Sequence, residues 1–338
     1  MRNILSQYGF DEKDCNVQPF GNGLINRTWV VETKGEKYIL QKINDKIFTA
    51  PEDIAFNIRL IATHLQEYHP DYLFVAPLQT TDRRDIVHST EGYYRIFPFV
   101  KGAHTIEVVE WPQEAYEAAK QFAGFTKRLS GLDPNQLKIT LPDFHNLALR
   151  YQQFEHAVQY GNKKRISESK NLIDFIRQQR NIAGEFEYCK PDFKIRCMHH
   201  DTKISNVLFN DNDKGLCVID LDTVMPGYFI SDAGDMMRTY LSPVNEEEKE
   251  FGRIEVRQDF YNAIVEGYRD EMGDELRDIE KNYFGYAGKF MIYMQAMRFL
   301  TDHLNNDIYY GSKYEGHNFV RAGNQATLLK RLNQFIPH

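Results

Sequence analysis

The spacing of apolar positions along the chain changes period once, near residue 100, and the change divides the chain in two. Before it, short β-rich runs dominate. Segments 28–32 and 37–43 flank the turn Thr33-Lys34-Gly35-Glu36, which predicts a hairpin, and 73–78 and 93–100 extend it to a sheet of about five strands. One helix interrupts the sheet: Pro51 followed by Glu52 and Asp53 marks an N-terminus, and the helical pattern runs through Glu67. From Trp111 onward the i, i+3, i+4 period takes over. Helices are predicted over 112–129, 144–160, 166–185, 251–272 and 286–304, with a last one near 325–335, and Gly131, Gly161 and Gly184 fall near helix ends. The pattern predicts an α+β chain with a small β-rich lobe over 1–100 and a larger, mainly helical lobe over 101–338. Lys101-Gly102 is the expected hinge.

Length and charge narrow the classes of partner. A chain of 338 residues exceeds the usual size of one hydrophobic core, so a cleft between two lobes is the natural ligand site. A net charge of −7 with interspersed cations and no long basic run speaks against a general nucleic-acid binder. No apolar run reaches the roughly 18 residues of a membrane span. Cys15, Cys189, Cys197 and Cys217 form no C-x-x-C pair, and the N-terminal MRNILSQYGF has no signal-like apolar core, which predicts a reduced, cytoplasmic protein. A monomer or weak homo-oligomer is expected.

The residues that carry chemistry gather in 197–238. His199, Asp201, Lys203 and Asn206 follow H-x-D-x-K-x-x-N spacing, and the apolar run 215–219 then delivers Asp220, with Asp222 just beyond it. Moving a phosphoryl group from a nucleotide to a hydroxyl needs a carboxylate to orient and deprotonate the acceptor, a cation near the transferring group and oxygen ligands for Mg²⁺. Asp201 fits the first role, Lys203 the second, and Asn206 with Asp220 the third. Upstream, Gly21 and Gly23 lie in the loop FGNGLIN, where the lack of a Cβ lets backbone N–H groups approach phosphates. The run Asp220-Leu221-Asp222-Thr223 also resembles the D-x-D-x-T of haloacid-dehalogenase-type phosphatases. That alternative lacks a clear downstream lysine and acidic pair.

With these residues in view, the sequence resembles the aminoglycoside phosphotransferase and choline kinase superfamily, which has a protein-kinase-like fold. FGNGLINRTWVV, KYILQKIN, HHDTKISNVLF, VIDLDTVMPG and SDAGDMMR carry the likeness; DTVMPG with RFLTDHL looks more narrowly like the N-acetylhexosamine 1-kinase group. The resemblance implies an ATP- and Mg²⁺-dependent kinase acting on the anomeric hydroxyl of an N-acetylhexosamine. Asp201 matches the catalytic base, Asn206 and Asp220 match metal ligands, and Asp222 is a candidate further ligand or orienting group. His199, Asp232, Asp235 and Arg238 are expected to brace the loop, and His200 to be a plain loop residue. Arg298 and Asp302, one helical turn apart, are candidates for the sugar. Other small acceptors, choline and aminoglycosides among them, and a non-catalytic nucleotide-binding protein stay open.

Two departures accompany the resemblance. Kinases present a strand lysine to the nucleotide phosphates, paired with a helix glutamate. Here Gln41 aligns at the lysine position, Lys42 is the nearby candidate cation, and alternation puts the two on opposite faces. The helix reads Phe56-Asn57-Ile58-Arg59, with Glu52 the nearest glutamate. In the glycine loop, Leu24 stands where relatives in the hexosamine group carry histidine.

Overall fold

Alternation builds the first lobe around one antiparallel sheet of five strands, in spatial order β1-β2-β3-β5-β4. These are β1 (Cys15–Pro19), β2 (Arg27–Thr33), β3 (Glu36–Ile43), β4 (Val87–Ser89) and β5 (Gly92–Pro98). The computed structural model describes residues 2–21 and 25–336; Gly23 and Leu24 lie outside the described residues. One sheet face buries Val31, Leu40, Tyr94 and Ile96 under Ile4, Leu5 and Tyr8 from the N-terminal segment. The opposite face, with Thr28, Ile39, Gln41, Arg95 and Phe97, looks into the interlobe cleft. The expected strand at 73–78 does not form. Pro77 has no N–H to give a ladder, and within that run Leu78 alone donates a backbone bond to the sheet, at 2.7 Å to Ile96 O. The edge is β4 instead.

Helix α1 (Pro51–Tyr68) buries Ile54, Ile58, Ile61 and Leu65 in a core continuous with that of the helical lobe. Asn57, fully buried, fastens α1 to the other lobe. Its Nδ2 donates to Lys138 O and Val224 O at 2.9 and 3.0 Å, and its Oδ1 accepts from Lys138 N at 2.7 Å. The chain leaves β5 through a turn at Lys101-Gly102, where Gly102 takes a φ of +70°. It enters the second lobe as β6 (Ala103–His104), which pairs with β8 (Val207–Asn210).

The second lobe packs around α6 (Phe284–Leu304), buried on almost every side. Helices α3 (Leu147–Tyr160), α4 (Phe229–Tyr240) and α7 (His317–Phe335) lie against it, while α2 (Pro112–Arg128) packs on α5 (Gln258–Met272). The single helix expected over 166–185 is broken into three, Lys163–Glu168, Lys170–Gln178 and Asn181–Cys189. A straight helix of that length would run about 30 Å; the breaks at Ser169 and Gln179 let Ile173, Ile176, Ile182 and Phe186 all reach the core. Gly184 therefore sits inside a helix, not at its end. The segment before α5 is one 3-10 turn, Phe251–Arg253, followed by extended chain, so that helix starts later than its periodicity suggests. No helix among the described residues is long and apolar enough to cross a membrane, and the four cysteines are unbonded.

One buried ion pair anchors the strand that feeds the site. Arg196, at the start of β7 (Arg196–Met198), forks onto Glu280 at 2.6 and 2.7 Å, and the two side chains are 3% and 0% exposed. Glu280 also accepts the backbone N–H groups of Lys194 and Arg277. Removing one member strands the other charge, so Glu280→Ala is expected to cost about 3–5 kcal/mol. Chemical denaturation of the variant checks this.

Candidate functional site

Strand β7 delivers the chain into the loop 199–203, which α4 holds from below. Asp232, in the first turn of α4, accepts the N–H groups of His199 and His200 at 3.1 and 2.8 Å. Asp235 accepts from Thr202 N and from Arg238 Nε, both at 2.9 Å, and Tyr240 Oη donates to Thr202 O at 2.5 Å. His199 is fully buried edge-on to Phe122. Its Nδ1 accepts from Asp201 N at 3.4 Å, which leaves Nε2–H to donate to Ile219 O at 2.9 Å. Burial depresses its pKa and favours this neutral form. His199 thus ties the loop to the end of β9 (Gly215–Val218), as a brace would.

His200 is more than a plain loop residue. It is buried with a φ of +69°, its Nδ1 meets Ser231 Oγ at 2.7 Å and His145 Nδ1 at 3.3 Å, and burial pushes its pKa down to about 4. Its ring lies so close to Gly227 that any Cβ there would collide with it.

Asp201, Lys203, Asn206 and Asp220 meet in the cleft. Asn206 Nδ2 donates to Asp201 O and Oδ2 at 2.9 and 3.1 Å, and Lys203 Nζ lies 3.0 Å from Asp201 Oδ1. Burial would raise the pKa of Asp201, but Lys203, with smaller contributions from His199 and Arg238, outweighs it and holds the carboxyl below the usual range. Ile219 N donates to Asn206 O at 2.9 Å, which sets Asp220 beside Asn206. Asp220 takes a left-handed backbone, φ 59° and ψ 62°, that ends β9 and turns its side chain into the cleft. The low solvation of the cleft, then the negative neighbours Asp222 and Asp201, push its carboxyl up to about 7. With the amide nitrogen of Asn206 spent on Asp201, its Oδ1 and the carboxylate of Asp220, both lining the cleft, are hard oxygens of the kind that Mg²⁺ takes.

Three expected site residues stand elsewhere. Asp222 is 2% exposed, with Arg95 Nη2 at 2.5 Å from Oδ1 as an ion pair and Asn26 Nδ2 donating to Oδ2 at 2.7 Å; it does not line the cleft, and its partners come from the β-rich lobe, so it is a lobe-bridging group. Lys42 lies on the sheet face away from the cleft, its Nζ 5.7 Å from the Tyr94 ring centroid, because alternation gives the cleft face to Gln41. Asp302 is buried and accepts Tyr309 N and Tyr310 N at 2.7 and 2.9 Å and Asn318 Nδ2 at 3.1 Å, so it caps a loop and presents nothing to a sugar. Arg298 does line the cleft. Among the described residues no carboxylate lies within ion-pair reach of it; instead Phe144, Tyr309 and Tyr310 ring its guanidinium at 5.6, 5.8 and 5.5 Å. Gly21, with a φ of +72°, also lines the cleft.

Sequence reasoning missed Arg95, Asn26 and Asn57. Arg95 carried a signal: it is the single charge in the apolar run 93–100, at an alternate position to Phe97. Asn57 and Asn26 carried none, since their partners are backbone or side chains of the other lobe.

A family model described as "Phosphotransferase enzyme family" matches residues 16–277. Solved structures with a similar fold include an aminoglycoside phosphotransferase from Alicyclobacillus acidocaldarius, with a TM-score of 0.64, 13% identity, and 99% of this chain and 96% of that one covered. A spectinomycin phosphotransferase in complex with ADP and spectinomycin gives 0.60 and 10%, covering 98% and 97%. A choline kinase from Cryptosporidium parvum gives 0.59 and 13%, covering 98% and 94%.

Proposed function

Because the chain belongs to the phosphotransferase enzyme family, we propose that it is an ATP- and Mg²⁺-dependent kinase of a small sugar, acting on the anomeric hydroxyl of an N-acetylhexosamine. The observation that supports the kinase part is that Asp201 and Asn206, hydrogen-bonded to each other, line the same interlobe cleft as Asp220. Asp201, kept ionised beside Lys203, orients the acceptor hydroxyl and takes its proton. Lys203, paired with Asp201, is a cation at the reacting end of the cleft, where charge builds up on the transferring group. Asn206 Oδ1 and the Asp220 carboxylate hold Mg²⁺, which screens the phosphate charge during transfer. Gly21, which lines the cleft, offers its backbone to the nucleotide's phosphates. The cleft closes by rotation about Lys101-Gly102 between lobes 1–100 and 101–338, and closure excludes water as a competing acceptor.

The acceptor wall favours a neutral, hydroxyl-rich substrate over a cationic amine. Glu246 is taken by Arg238 and Arg321, Glu247 by Lys313 and Asp302 by backbone N–H groups, so these carboxylates are not free to meet an ammonium. Arg298 adds a positive charge with donors to spare and an aromatic surround suited to a sugar ring or an amide carbonyl. ADP release measured with Mg²⁺·ATP across N-acetylhexosamines, plain hexoses, choline and an aminoglycoside tests the proposal. Acceptor-dependent turnover with the N-acetylhexosamines and little with the amines is the expected pattern; the reverse preference overturns the acceptor, and turnover with none overturns the enzyme.

A further inference from the structure

In the β-rich lobe the guanidinium of Arg95 is 2% exposed and lies beside the same cleft as Asp220. Register puts Arg95 on β5 directly opposite Gln41 on β3. Nε and Nη2 donate to Gln41 Oε1 at 2.9 and 2.5 Å, and Nη2 also lies 2.5 Å from Asp222 Oδ1. Cζ of the guanidinium lies 5.0 Å from the Phe97 ring centroid. The hydrogen bonds to Gln41 account for two of the five N–H groups of the fork; the contact with Asp222 Oδ1 is an ion pair, and that oxygen accepts no hydrogen bond among the described residues. The two N–H groups on Nη1 have no partner among the described residues although the atom is buried.

A buried cationic donor left without an acceptor is costly, and an oxygen supplied by a ligand would relieve that cost. Gln41, Asp222 and Phe97 occupy the other sides of the guanidinium, which leaves the cleft as the direction from which that oxygen arrives. Asp222 balances the charge and, with Gln41, fixes the plane of the fork, so Nη1 is held in one orientation. An arginine guanidinium forks onto phosphate oxygens.

Resting on the phosphotransferase reading above, we infer that Arg95 is the group that contacts the nucleotide's phosphates, with Gln41 and Asp222 as its positioning residues. The cation has moved from β3 to the neighbouring strand: Gln41 stands where a lysine would, and serves the arginine across the ladder. The same arrangement couples nucleotide to metal site, since the arginine that touches phosphate also holds the carboxylate two residues beyond Asp220.

The test compares ADP with adenosine binding by calorimetry, in EDTA so that metal contributes nothing. Asp222→Asn serves as the reference background, because it removes the carboxylate that loss of Arg95 would strand. In that background Arg95→Met is expected to weaken ADP by about 10- to 100-fold, the worth of a charge-assisted contact, and to leave adenosine unchanged. Adding Gln41→Lys should restore part of the ADP preference, which no purely structural role for Arg95 would produce. Should the methionine variant not fold, Arg95→Lys in the same background keeps the charge, loses the fork, and is expected to show a smaller but selective ADP loss. ADP and adenosine weakening together, or an ADP preference kept without Arg95, overturns the inference alone. A wild-type protein that binds ADP no better than adenosine overturns both it and the kinase reading.

Discussion

Asp201→Asn is expected to lower kcat by about 10²–10⁴-fold while the affinity for nucleotide stays near that of the wild type. Asparagine keeps the size and can accept from Asn206 Nδ2, so the loop geometry survives; what is lost is the proton acceptor. The position of Asp201 makes the prediction sharper. Its carboxyl is already held below the usual range by Lys203, so its protonation does not set the rate near neutral pH. Steady-state kinetics with ADP binding measured in parallel checks the split. A variant that retains most of its turnover would show that another group takes the hydroxyl proton.

Asp220→Ala acts at a different step. Of the two oxygen ligands proposed for Mg²⁺, Asp220 is the charged one, so its loss should remove the metal-dependent part of nucleotide binding and leave turnover too slow to measure. The pH dependence follows from the same group. Its carboxyl is pushed up to about 7 by the low solvation of the cleft and by Asp222 and Asp201. Mg²⁺ binds the ionised form, so protons compete with it below that pH. The Mg²⁺ concentration for half-maximal rate is therefore expected to rise as pH falls from 8 to 6, by up to about tenfold per unit once the proton dominates. Above about 8 it should level off. A Mg²⁺ requirement that does not change across this range would contradict the assignment.

What the sequence made legible was local. Asp201, Lys203 and Asn206 share one loop, and Asp220 ends the strand that pairs back on it, so their spacing alone implied that they meet. Pro51–Tyr68 and Pro112–Arg128 formed where their apolar period placed them. The losses lie where the deciding partner is distant. Alternation correctly separated Gln41 from Lys42, but which of them faces the cleft depends on Ile4, Leu5 and Tyr8 covering the other side of the sheet. Arg298 and Asp302 do share a face by helical spacing, yet the loop at 309–310 folds back and takes the carboxylate. Arg95 is visible as a charge in an apolar strand, but only the register β3↔β5 shows that it stands beside Gln41.

The same distinction explains Asp222. Its D-x-D spacing with Asp220 suggests a pair of ligands, but a left-handed residue at 220 sends the two side chains in different directions. One reaches the cleft; the other meets Arg95 and Asn26 from the β-rich lobe. The second carboxylate thus links the lobes at the point where nucleotide and metal are proposed to sit.

The central claim is that Asn206 and Asp220 grip one divalent ion on a nucleotide's phosphates with Asp201 alongside. The most direct measurement is an anomalous difference map from crystals grown with Mn²⁺ and ADP. The account predicts a single Mn²⁺ peak at about 2.1 Å from Asn206 Oδ1 and from a carboxylate oxygen of Asp220, and also bound to phosphate oxygen. A peak ligated by other side chains, or nucleotide bound outside the interlobe cleft, would contradict it.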